Sequence, residues 1–236
     1  MDKTLPFLML FIRPLLFLAA QSLIAAGLAM QGDATPWVSA SKFWITFPVL
    51  ANIITIFVLR SLYRRKGIRY FSLFKFSKEG WWKELLISLG VFAGASFLAM
   101  APNIWLASLI FGSQETAASL LFNRIPLWAV AIALLWPLTH PFAELPLYFD
   151  YCMGEIKAIS KSGIVALLIC SFALAFQHIT LPFLFDAKYL LWRFGMFLFL
   201  AVYIGAALKI RPKLLPYIVV GHGLLDLPVV LMFFTF

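Results

Sequence analysis

The histidines and two of the acids of this chain sit in surroundings that disfavour charge. His140, His178 and His222, all the histidines it has, fall inside long apolar runs. His140 is followed four residues later by Glu144, and His222 four residues later by Asp226. Residues at i and i+4 share one face of a helix, so each pair presents an imidazole beside a carboxyl. Ionisable groups in apolar spans are costly and point to function by default. Four chemistries can use this set. A Glu and a His together can deprotonate a water. A second His with Asp226 can donate to a developing oxyanion. Glu144, His178, His222 and Asp226 together can ligate zinc. A chain of acids and imidazoles can relay protons in a transporter. The plainer alternative is a polar network that pins helices together. Three histidines and two acids on three spans favour chemistry over that alternative.

The elements that must hold these residues follow from composition. Of 236 residues, 63% are hydrophobic and 12% charged, against about 45–50% and about 25% in soluble domains. A soluble globular enzyme, a disordered tail and a nucleic-acid-binding domain are thereby excluded. A bilayer core takes about 20 apolar residues per helix. Seven spans meet that length: Leu5–Met30, Phe43–Leu59, Leu85–Phe111, Leu127–Phe149, Ile164–Leu181, Tyr189–Leu208 and Leu214–Phe236. The expected fold is all-α, a polytopic membrane bundle of about seven transmembrane helices in one integral membrane domain. Residues 1–126 supply N-terminal helices and a basic segment; residues 127–236 form the core with the chemical residues. Cys152 and Cys170 are too few for a disulfide framework and lack metal-ligand spacing. The first span is too long for a secretory signal, Arg13 interrupts it, and Asp2 weakens a basic leader region. It reads as a retained helix in which Arg13 needs a partner or a route to the interface.

The net charge of +9 has a topological meaning. Lys3, eight bases between Arg60 and Glu84, Lys157, Lys161, Lys209, Arg211 and Lys213 place fourteen on one side. Lys42, Arg124, Lys188 and Arg193 lie on the other. The positive-inside rule puts the N-terminus in the cytoplasm and the C-terminus outside. The Arg60–Glu84 segment mixes its bases with Tyr70, Phe71, Phe74, Phe76, Trp81 and Trp82, and reads as an interfacial helix on anionic headgroups. Gly90 and Gly94 form a GxxxG pattern, a packing signal. Pro137, Pro141 and Pro146 in the fourth span, with Pro216 and Pro228 in the seventh, free backbone carbonyls. Such helices are tolerated in protein-lined interiors, so these two spans should line something. No internal repeat is evident, which counts against many transporter folds.

The constellation resembles the CPBP family of intramembrane proteases, the CAAX prenyl endopeptidases and their bacterial relatives, also called the Abi family. Its pattern is Glu-Glu-x-x-x-Arg, then Phe-x-x-x-His, then His-x-x-x-Asn/Asp, on three helices. His222-Gly223-Leu224-Leu225-Asp226 matches the third motif. Leu174-Ala175-Phe176-Gln177-His178 keeps the His of the second, with Leu174 in place of Phe. In the first, Glu144 takes the catalytic Glu, while Leu145 replaces the second Glu and Phe149 the Arg. The resemblance covers about half the chain, from Leu127 onward. It implies a CAAX-protease-like core and a glutamic-type peptidase in which Glu144 and His178 activate water while His222 and Asp226 stabilise the oxyanion. His140 is a possible supporting residue. No cofactor is required, and zinc on Glu144, His178, His222 and Asp226 is the runner-up. The implied partner is a peptide or membrane-protein substrate, the implied location a bacterial cytoplasmic membrane. Non-catalytic alternatives are a bacteriocin self-immunity or scaffold protein of the same fold; an ion-coupled transporter is a third.

Hydropathy sets Glu144 near one end of the fourth span and His178 near the opposite end of the fifth. At 1.5 Å per residue these are far apart in depth. They meet only if the fourth helix continues past Asp150 towards Lys157, and that continuation is the prediction.

Overall fold

The computed structural model describes residues 3–233. Asp2 and the last three residues of the seventh expected span lie outside the described residues. Among the described residues there are helices and loops but no strand. Six helices are long and apolar enough to cross a membrane, and a bent pair counted as one span makes a seventh. They are α1 (Leu5–Met30), α2 (Trp44–Arg65), α3 (Trp81–Phe111), α4 (Leu127–Ala133 with Trp136–Ser160), α5 (Gly163–Thr180), α6 (Ala187–Ile210) and α7 (Pro212–Met232). The two parts of α4 meet at 41°. The bend falls where Pro137 opens the second part and cannot donate a backbone hydrogen bond.

The predicted continuation of α4 is present. Its α-helix Trp136–Leu145 passes through a π-helical turn, Pro146–Cys152, into a further α-helix, Met153–Ser160. Hydropathy ends this span early because Asp150 and Glu155 are acids. Both are matched from the end of α2: the Tyr63 hydroxyl donates to Asp150 and the Lys66 ammonium to Glu155. Pro146 has no N–H for the carbonyl of Phe142, four residues back. The Tyr70 hydroxyl donates to that carbonyl instead. Burial away from water pushes the Tyr70 phenol up from its ordinary value, so it remains a donor.

The segment around Tyr70 forms a single 3-10 turn, Tyr70–Phe74, rather than an interfacial helix. Gly67 and Gly80, at φ of +72° and +67°, break the chain on either side. Trp81 and Trp82 open α3. In the GxxxG pattern only Gly94 makes a close approach, against Tyr203 of α6, while Gly90 faces nothing within 4 Å.

Helix α4 is central. Its Trp136–Leu145 part packs between α2 and α7, and its later turns lie along α5; α6 packs on both α3 and α5. Two apolar clusters form the core. One holds Leu10, Leu59, Leu145, Leu174 and Val219; the other holds Phe17, Ala51, Trp136, Leu181 and Val230. Between them, helix by helix, lie Arg13, Asn52, His140 with Glu144, Gln177 with His178, and His222 with Asp226. Five helices thus contribute to one polar layer sandwiched by two apolar halves.

Candidate functional site

Glu144 sits at the middle of this layer and is 3% exposed. Its Oε2 accepts hydrogen bonds from the Gln177 amide and from His140 Nε2, the latter at 3.1 Å. Its Oε1 lies 3.9 Å from His222 Nε2, which in turn lies 3.6 Å from Asp226 Oδ1. Both separations exceed a hydrogen bond. The imidazoles of His140 and His222 meet edge to face, centroids 5.2 Å apart. The second oxygen of Asp226, Oδ2, is buried with no hydrogen-bond partner.

Arg13 is fully buried, and its partners lie on three other helices. Nε donates to Gln177 Oε1 at 2.8 Å and Nη1 to Asn52 Oδ1 at 2.8 Å. Nη2 lies 3.1 Å from His140 Nδ1. The guanidinium also rests over the Phe17 ring, 5.1 Å from its centroid. A guanidinium only donates, so His140 Nδ1 is the accepting nitrogen and the imidazole proton is on Nε2. Gln177 is oriented in the same manner. Its Oε1 accepts from Arg13 and from the Tyr148 hydroxyl, at 2.8 and 3.2 Å, which leaves the amide nitrogen to face Glu144.

His178 has the opposite tautomer. Its Nδ1 lies 2.9 Å from the Leu174 carbonyl and must donate, so Nε2 keeps its lone pair. The ring stacks on Phe197 with centroids 3.5 Å apart. Arg193, which hydropathy and spacing set among the bases of the far face, is buried in α6. It donates to the carbonyls of His178 and Leu181, at 3.3 and 2.8 Å, and so fixes the end of α5.

Glu144, His178, His222 and Asp226 all line one cavity of about 490 Å³, as does His140. The rest of its wall is largely apolar, including Phe92, Trp136, Phe149, Trp192 and Phe197. Two glycines let its walls close up. A Cβ on Gly223 would lie 2.6 Å from the Pro137 carbonyl oxygen, which Pro141 leaves without its helical donor. One on Gly205 would lie 2.5 Å from the Phe149 ring.

One group of three potential metal ligands exists among the described residues. His140, Glu144 and His222 place ligand atoms within 4.8 Å of one another. The zinc set expected from sequence, Glu144, His178, His222 and Asp226, is not that group: His178 and Asp226 fall outside it and His140 falls inside. Within the His140, Glu144 and His222 group, the donor set at His140 does not suit zinc. A zinc ligand needs the lone pair at His140 Nε2, but the Arg13 guanidinium holds the lone pair at Nδ1 and the proton at Nε2. The fixed positive charge of Arg13 beside the site opposes a dication further.

Sequence reasoning singled out Glu144, His178, His222, Asp226 and His140, and all five line the cavity. It left Arg13 without a partner, and it gave Gln177, Asn52 and Tyr148 no role. A lone amide inside an apolar span, as at Asn52 and Gln177, was the available signal. Comparison with protein-family models, with curated proteins and with solved structures finds no match to this chain.

Proposed function

We propose that this protein is an intramembrane peptidase of glutamic type, cleaving a peptide or a membrane-associated protein. One observation supports the reading above the others: Glu144, His178, His222 and Asp226, drawn from α4, α5 and α7, line a single apolar cavity. The resemblance of their order and spacing to the CPBP family agrees with it. Glu144 Oε1 accepts a proton from water as the water oxygen bonds to the substrate carbonyl carbon. The Nε2 lone pair of His178 assists by accepting a hydrogen bond from that water. The carbonyl electron pair moves to oxygen, where His222 donates to it, while Asp226 either orients His222 as a carboxylate or, when protonated, donates to that oxygen itself. Collapse breaks the C–N bond, and the departing amine takes the proton from Glu144. No step needs a metal. The protein works from a bacterial cytoplasmic membrane, with the basic end of the bundle facing the cytoplasm and its anionic headgroups.

A non-catalytic reading, an immunity or scaffold protein, has its own supporting observation. Arg13, Asn52, His140, Glu144 and Gln177 tie α1, α2, α4 and α5 together, which is what a purely structural clasp does.

The test compares peptide termini in cells carrying the wild type, Glu144→Gln, His178→Ala and His222→Ala. Termini present in the wild type and lost in all three variants support the peptidase. Unchanged termini with a lost immunity phenotype support the non-catalytic reading.

A further inference from the structure

The resemblance covers only residues from Leu127 onward, yet Arg13 of α1 bonds to polar side chains on three other helices. Its three bonds are not interchangeable. The bond to Gln177 Oε1 turns the amide nitrogen towards Glu144, and the bond to His140 Nδ1 turns Nε2–H towards Glu144. Both of these donors reach the same oxygen, Oε2. Oε1 is left without a short hydrogen bond and faces His222 at 3.9 Å. A buried carboxylate with one oxygen bonded by two donors has its basic lone pairs on the other.

We propose that Arg13 is a positioning residue which, through His140 and Gln177, fixes Glu144 with Oε2 held and Oε1 presented as the base. This rests on the peptidase reading for its consequence but not for its geometry. Arg13 is fully buried behind the cavity wall rather than part of it, and acts through the tautomer of one histidine and the orientation of one amide. Asn52 holds the third arm of the guanidinium and is itself set by its amide bond to Thr139 at 2.9 Å. A Lys at position 13 has no planar fork and cannot meet three acceptors in these directions.

Nitrogen-15 NMR of histidine-labelled protein in lipid nanodiscs at neutral pH tests the geometry directly. The three imidazoles are assigned by elimination from His178→Gln and His222→Gln. The expected result is protonation of His140 at Nε2 and of His178 at Nδ1, opposite tautomers in one spectrum. Protonation of His140 at Nδ1, read in the wild-type spectrum once the signals are assigned, overturns the proposal. Arg13→Met is expected to mix the His140 tautomers and to lower kcat about 100-fold or more with KM little changed, the size of effect general-base catalysis supplies. A KM rise with kcat intact, or a His140 spectrum unmoved by Arg13→Met, overturns it as well. If the wild type cleaves nothing while the opposite tautomers are found, the peptidase reading fails and the positioning stands. Cleavage with the reverse His140 tautomer is the contrary outcome.

Discussion

At the scale of the residue, neighbours in sequence have unlike tasks. Gln177 and His178 are adjacent, but about 100° apart around a helix. Gln177 is bonded to Arg13, Tyr148 and Glu144. Gln177→Leu strands a buried guanidinium N–H and removes a donor from a buried carboxylate, each costing about 1–3 kcal/mol. A marked fall in the unfolding midpoint in nanodiscs is expected. His178→Ala loses one ring stack, roughly 0.5–1.5 kcal/mol, and one hydrogen bond to the Leu174 carbonyl, but strands no charged group, so its midpoint should move less while cleavage is lost. Equal destabilisation by the two would contradict these roles. Asp226 gives a second contrast. Its Oδ1 faces His222 and its Oδ2 has no partner. Asp226→Asn keeps an oxygen towards His222 and should retain cleavage, whereas Asp226→Leu should lose about 100-fold or more, as removal of an oxyanion element does. Sequence spacing was enough to find His140, Glu144, His222 and Asp226, because i and i+4 is a local relation. It could not find the partners of Arg13, which lie 39, 127 and 164 residues away.

At the scale of the element, the proline breaks and the close glycines work together. Pro141 removes the donor to the Pro137 carbonyl, and Gly223 brings α7 against that oxygen, which sets His222 over Glu144. Gly223→Ala puts a methyl 2.6 Å from the Pro137 oxygen. Overpacking of this kind costs about 1–3 kcal/mol, and relief by moving α7 outward separates His222 from Glu144. Lowered stability and lost cleavage together are expected, read by thermal unfolding and by peptide termini. Gly90→Ala is the control: nothing lies within 4 Å of its added methyl, and removing a glycine from a helix interior should raise stability by up to about 1 kcal/mol. An unaffected Gly223→Ala would mean that α7 is not held where His222 needs it. The course of α4 was legible only as a requirement. Hydropathy ends it near Phe149, but a site that uses both Glu144 and His178 requires the helix to go on. Its means of continuing, Tyr63 on Asp150 and Lys66 on Glu155, join residues 87 and 89 apart and leave no local trace.

At the scale of the whole molecule, the charges sort by depth, and that sorting makes topology testable. The spans were readable because lipid demands a long apolar run whatever the tertiary contacts are. Arg193 shows the limit of the same logic: counted as a flanking base, it is buried and bonded to the carbonyls that end α5. With Arg193 set aside, the end of the bundle opposite the Arg60–Lys83 segment keeps only Lys42, Arg124 and Lys188, so the asymmetry behind the orientation grows. Exposed positions mark the two ends. Lys78 and Lys161 are exposed at the basic end, and Glu115 is exposed after α3 at the other. The native Cys152 and Cys170 are both buried, which keeps background labelling low. In intact cells a membrane-impermeant maleimide should label Glu115→Cys but not Lys78→Cys or Lys161→Cys, and opening the membrane should make all three reactive. Positive-inside bias dictates that pattern because bases within about 15–20 residues of a span end are the ones retained in the cytoplasm. The reverse pattern would invert the molecule, setting the basic 3-10 turn at Tyr70 on the outer surface and the Glu115 loop in the cytoplasm. The polar layer would keep its internal bonds in either orientation, since each joins residues within the bundle, so labelling tests topology without disturbing the chemistry proposed for Glu144.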